Sequence, residues 1–79
     1  MMIKSTVLPK YFGINERTIR KWLTKKKLTG IKKKGVWYVG KQDLLYFMGR
    51  FPEYGNAVLN IFGDYNITLS KTNNVSQRY

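Results

Sequence analysis

Gly13, Ile14 and Asn15 constrain this chain more tightly than any other three residues in it. Gly13 supplies the positive-φ position with which helices commonly end. Asn15, two residues on, is a strong helix N-cap, so one helix must stop and another must start within a single tight turn. Upstream, Thr6 is the expected N-cap of a short helix over about 7–12, with Pro9 at its third position, where a missing N–H costs no intrahelical bond. Downstream, a second helix is expected from Asn15 to about Lys26, with Glu16 in its first turn, where the helix dipole favours an acid. At about 100° per residue, Ile19, Trp22 and Leu23 share one face of that helix, and Arg17, Lys21 and Thr24 lie opposite. Thr18, Arg20 and Lys25 flank the polar face.

Charge decides what that face is for. Lys and Arg number 15 against 4 Asp and Glu, giving a formal charge of +11 and a sequence pI of about 10.1. Twelve of the 15 basic residues fall at or before Lys41, where Glu16 is the one acid, and the remainder of the chain is balanced. The N-terminal half is therefore the electrostatic footprint, and it calls for a polyanionic partner, nucleic acid first. The sequence contains neither Cys nor His, which removes disulfides, thiolate or imidazole metal sites, cysteine nucleophiles and histidine acid–base chemistry. Its four carboxylates are scattered, so a protein that is not an enzyme and carries no metal or cofactor is expected. No stretch approaches the roughly 20 apolar residues of a membrane span, and a cytoplasmic, nucleoid-associated protein is expected. At 79 residues the chain makes one small domain with a thin core.

Beyond the second helix the hydrophobic period changes. Ile31, then Lys32-Lys33-Lys34-Gly35, then Val36-Trp37-Tyr38-Val39 reads as a β-hairpin with a basic tip. Trp37 and Val39 are expected to face inward. Leu44, Phe47, Met48 and Phe51 recur at helical spacing over 41–51 and predict a third helix that closes the core. After Pro52, Tyr54, Ala57, Val58 and Ile61 continue a helical pattern to Gly63, and Tyr65, Ile67 and Leu69 alternate as in a strand. Residues 52–69 are thus expected to serve core or assembly, and the polar run 70–79 to be a flexible tail.

A helix, a short turn containing Gly, and a second helix with an arginine-rich outer face form the helix-turn-helix plan, whose second helix enters the major groove. Taken as a whole, 10–48, KYFGINERTIRKWLTKKKLTGIKKKGVWYVGKQDLLYFM, resembles the winged helix-turn-helix of excisionases and, more distantly, of MerR-type regulators. The correspondence lies in Phe12-Gly13-Ile14-Asn15, Thr18-Ile19-Arg20-Lys21, Lys27-Leu28, Trp37-Tyr38-Val39 and Asp43-Leu44. It departs at Pro9, where the family usually has Ala, and at Lys33 and Gly35 in the hairpin. The fold implied is α+β: a winged helix-turn-helix domain over 1–51 followed by the short extension.

The resemblance implies binding to double-stranded DNA without strand cleavage. Carried over position by position, Arg17, Thr18, Arg20 and Lys21, with Thr24 on the same face, are the expected major-groove residues. Lys25, Lys32, Lys33, Lys34 and Tyr38 are the expected backbone and wing contacts. The resemblance further implies a DNA-bending accessory factor of a phage or plasmid that acts beside an integrase or recombinase and binds several adjacent sites; the apolar segment 54–69, which a minimal winged domain does not require, is the expected contact between copies. The alternatives are a small winged-helix transcription regulator and a basic RNA-binding protein that stacks bases on Tyr11, Trp37 and Tyr38.

Overall fold

A computed structural model describes residues 2–68. Strand β1 (Met2–Lys4) leads through a 3-10 turn (Ser5–Val7) into helix α1 (Leu8–Phe12), and helix α2 (Glu16–Thr24) follows. Strands β2 (Ile31–Lys33) and β3 (Val36–Gly40) form a hairpin, after which come helix α3 (Lys41–Arg50), a second 3-10 turn (Pro52–Tyr54) and helix α4 (Gly55–Asp64). Over the described residues the architecture is α+β, four α-helices with one antiparallel sheet of order β1-β3-β2.

Backbone chemistry explains where each helix stops. Gly13 (φ 69°), Lys26 (φ 63°) and Asn66 (φ 53°) all take the left-handed conformation just past α1, α2 and α4. After α2, the Lys27 N–H donates to the Trp22 carbonyl at 2.8 Å and the Lys26 N–H to that of Leu23 at 3.2 Å. After α4 the same pair of bonds runs from Ile67 to Phe62 (2.8 Å) and from Asn66 to Gly63 (3.3 Å). This is the Schellman closure, which satisfies carbonyls that a helix end would otherwise orphan. It moves the end of α2 to Thr24, ahead of the expected Lys26, and it turns Tyr65 and Asn66 into a helix stop, so the strand expected at 65–69 does not form over the described residues. Leu69 and the tail at 70–79 lie outside them.

At the other end of the chain, Ile3 pairs with Val39 and Lys4 with Tyr38, adding a third strand to the two expected from the hairpin. The chain must bend directly after Lys4, so 5–7 wind into the 3-10 turn. Thr6 therefore sits inside that turn and caps nothing; Val7 precedes α1 in helical conformation without a side-chain cap.

One core joins all of this. Ile3, Leu8, Phe12, Ile19, Leu23, Leu28, Val39, Leu44 and Phe47 are buried together with Val58, Ile61 and Phe62 from α4. At its centre, Phe12, Trp22, Phe47 and Tyr54 form a four-ring cluster in which every ring contacts the other three, with centroids 5.2–6.0 Å apart. Three of the six contacts there are edge-to-face arrangements involving Phe12, the geometry that aromatic quadrupoles favour. Tyr54 and α4 complete this core. Trp37 is half-buried against the core, whereas Trp22 is 9% exposed.

Two outcomes follow from this packing. Trp22→Ala should cost about 3–5 kcal/mol in urea unfolding, the usual range for emptying a buried aromatic site. Trp37→Ala should cost less, because its ring is part-exposed, and equal losses would place both indoles alike in the core.

The second outcome concerns α1 and α4, which are tied at the surface by the Tyr11 hydroxyl donating to Asp64 Oδ2 at 2.7 Å. That hydrogen bond, helped by desolvation and by the carboxylate's charge, pushes the Tyr11 phenol from 10.0 up to about 12. A phenol raised in the folded state stabilises fully below its unfolded value, and that contribution is lost as pH climbs from about 10 through about 12. The tyrosinate absorbance difference between wild type and Tyr11→Phe should titrate near 12, and Asp64→Asn should bring it back toward 10.

Candidate nucleic-acid interface

Asn15 builds the start of α2: its Oδ1 accepts from the Thr18 N–H at 2.8 Å and from the Thr18 hydroxyl at 3.0 Å. The half-buried Thr18 therefore gives its hydroxyl proton to the cap and retains only acceptor capacity for a partner. Behind the cap, Ile19, Trp22 and Leu23 are buried, and Arg17, Arg20, Lys21, Thr24 and Lys25 are exposed. Arg17, Lys21 and Thr24 follow one another at three- and four-residue steps and make a continuous polar stripe. Arg20 Nη1 lies 3.4 Å from Glu16 Oε2, with both side chains about half exposed. A surface pair of this kind is worth about 0–1 kcal/mol, so Arg20 is released to a stronger anion at little cost. Among the described residues this is the one ion pair, and every other cation there lacks a carboxylate partner.

The three lysines that close α2 separate in role. Lys25 and Lys26 are exposed, and Lys26 holds the left-handed position. Lys27 turns back, with Nζ 4.7 Å from the Trp22 ring centroid and 4.8 Å from that of Phe51. In a Schellman closure this residue habitually packs on the one five positions earlier, here Trp22.

The hairpin turn has two central residues, Lys34 (φ 50°) and Gly35 (φ 79°), both left-handed as a type I′ turn requires. Asn is the usual occupant of the first position, and a lysine there is held at some conformational cost. Lys32 is opposite Trp37, and Lys33 is opposite Val36. Lys32 and Lys33 consequently point to opposite faces of the hairpin, Lys32 lying 5.8 Å over the Trp37 ring. The three expected wing lysines do not share a face: Lys32 sides with Trp37, Lys33 with Val36 and the half-buried Tyr38, and Lys34 sits at the tip.

Two contacts seat the hairpin against the helices. Gly30 lies where α2 meets β3, and a Cβ built on it would come within 2.6 Å of the Tyr38 carbonyl oxygen and 3.1 Å of Leu23 Cδ2. Asp43, in the first turn of α3, accepts from the Gly40 N–H at 2.9 Å and from the Thr29 hydroxyl at 2.6 Å. One carboxylate thus pins the loop after α2, the end of β3 and the start of α3. The sequence reading assigned no role to Gly30, and of Asp43 only its place in a motif. The legible signal was the three-residue step from Gly40 to Asp43, the spacing of a helix-start carboxylate that reaches back. Among the described residues no group of three or more Asp or Glu is disposed to hold a metal.

Gly30→Ala should force the hairpin off α2, costing about 1–3 kcal/mol in urea unfolding as overpacked sites do. It should also weaken any ligand that needs the helix and the hairpin together. Wild-type behaviour in both respects would show that the contact yields freely. Comparison of the chain with protein-family models, with curated protein sequences and with solved structures gives no match.

Proposed function

We propose that this protein is a winged helix-turn-helix factor that binds double-stranded DNA in a sequence-directed manner, with α2 as the major-groove helix and the β2–β3 hairpin as the wing. The observation that carries the reading is the division of α2. Its apolar side is consumed by the core while Arg17, Arg20, Lys21 and Thr24 face outward, and a lysine hairpin seated on Gly30 follows directly. Guanidinium and ammonium groups on a helix are suited to the acceptors of guanine in the major groove, whereas hairpin lysines are suited to phosphates. Lys34 occupies the left-handed first position of the turn, where Asn is the commoner residue, and it adds a third ammonium group at the hairpin tip.

Within this reading the protein is an accessory factor of the excisionase type that bends its DNA beside a recombinase of a mobile element. One helix and one hairpin cover a short site, and single modules of this size bury roughly 600–1,000 Å². Loading of several copies on neighbouring sites supplies the remaining affinity. The apolar side of α4 is occupied by the core, so contact between copies falls to its outer side and the residue that follows it, where Leu59 and Tyr65 are each 43% exposed. A transcription regulator with the same domain would dock in the same way without a recombinase.

Anisotropy titrations over a salt series test the core of the proposal. With about five phosphates neutralised, log K should fall with log salt at a slope of roughly −4 to −5. Arg17→Ala or Arg20→Ala should cost about 1–3 kcal/mol and relax preference at particular base pairs. Replacement of Lys33 and Lys34 by Ala should weaken all sequences alike and flatten the slope. Equal or tighter binding to single-stranded RNA of any sequence would discard the proposal in favour of an RNA-binding role. Bending is tested separately by circular-permutation gels on DNA with one and with three sites, where an unbent duplex carrying independent copies would reduce the protein to a simple DNA-binding module.

A further inference from the structure

Asn15 does more at the start of α2 than cap it. The Thr18 N–H can only donate, so the Asn15 side-chain atom 2.8 Å from it is the amide oxygen. The Thr18 hydroxyl lies 3.0 Å from that same Oδ1 and must therefore give it a proton. A hydroxyl has one proton and two lone pairs. With the proton committed, Thr18 Oγ1 offers lone pairs only, and among the described residues no protein group donates to them. The bond to Asn15 also holds the hydroxyl in place, so the acceptor is aimed before any partner arrives.

This polarity sorts the partners open to Thr18 in a DNA complex. Phosphate oxygens accept and do not donate, so the DNA backbone offers this hydroxyl no hydrogen bond, unlike the lysines and arginines around it. On the floor of the major groove, adenine N6 and cytosine N4 carry donor hydrogens, whereas guanine O6 and N7 and thymine O4 are acceptors. An acceptor-only hydroxyl matches the amino bases and sets lone pair against lone pair at the keto bases. Its place in the helix suits such reading. In a helix-turn-helix the N-terminal residues of the second helix reach base edges, and Thr18 is the third residue of α2. Of the three side chains that open the helix, Glu16 faces Arg20, Arg17 is exposed and Thr18 is half-buried. Thr18 lies about 60° round the helix from the exposed Lys21.

We infer that Thr18 is a specificity-determining residue that accepts a hydrogen bond from the exocyclic amine of adenine or cytosine, with Asn15 as the positioning residue that fixes its polarity. The inference rests on the DNA-binding reading and adds to it which base edges the first turn of α2 selects. Every base pair shows an amine on one strand and a keto oxygen on the other in the major groove. The signature is therefore one of orientation: a single position of the target accepts A·T and C·G alike and rejects T·A and G·C.

The test is selection from a randomised duplex library by the full chain, followed by affinity measurements on duplexes that differ at one base pair. Wild type should favour the amino over the keto orientation at one position by roughly three- to tenfold, the worth of one hydrogen bond. Thr18→Val keeps the branched shape and loses the hydroxyl, so it should abolish that preference at that position and leave the salt slope unchanged, because no charge is altered. Thr18→Ser should retain the preference. Asn15→Asp keeps the acceptor and should retain it too while weakening all duplexes alike. Asn15→Gly still starts the helix but frees the hydroxyl proton, so it should admit the keto orientation at that position alone. Thermal melts of each variant separate binding from folding. Loss of the preference in folded Thr18→Ser would assign it to the methyl group and overturn the inference, and an Asn15→Gly motif identical to wild type would overturn the part given to Asn15. Failure of wild type to enrich any duplex overturns the inference and the DNA-binding reading together, whereas an enriched motif that Thr18→Val leaves unaltered overturns the inference alone.

Discussion

Phe12, Trp22, Phe47 and Tyr54 come from α1, α2, α3 and the 3-10 turn before α4, and their rings meet at one point in the molecule. A chain of this size has little apolar surface to bury, and aromatic side chains bury the most per residue. The four-ring cluster therefore replaces the larger aliphatic interior that a longer protein would build. It also sets the orientation of α2. With Trp22 fixed among three rings and Ile19 and Leu23 buried beside it, the helix can present only one side to solvent, and that side carries Arg17, Arg20, Lys21 and Thr24.

The few acids complement this arrangement. Asp43 joins the loop after α2 to β3 and α3, Asp64 joins α4 to α1 through Tyr11, and Glu16 lies against Arg20 within one helix. Three of the four carboxylates in the sequence are thus engaged in internal contacts, two of them between elements far apart in the chain. The cations are left largely unneutralised. Such an excess opposes compaction through self-repulsion.

Legibility in the sequence followed the range of the determinants. The stop at Gly13, the cap at Asn15 and the buried face of α2 are set by neighbours a few residues apart, and all three could be read directly. The hairpin was legible for the same reason, although the left-handed Lys34 was not, because nothing local distinguishes it from the two lysines before it. β1 escaped notice because three residues carry no periodic signal and its partner β3 lies far along the chain. Tyr54 was read as part of a separate extension, since nothing local reveals that a ring following Pro52 returns to Phe12 and Trp22. In the candidate interface, the exposed stripe was legible from helical period alone. Its interruptions were not, because the commitment of the Thr18 hydroxyl to Asn15 and the turning of Lys27 onto two rings depend on cap geometry and tertiary packing.

The placement of the two tryptophans has an optical consequence. Trp22 is enclosed by rings at the centre of the core, while Trp37 is half-buried on the hairpin with an ammonium group over its face. Emission from the first reports the integrity of the whole fold, and emission from the second reports the surroundings of the hairpin. A chain with only these two indoles carries one intrinsic fluorophore in its core and one on its hairpin, without any attached dye.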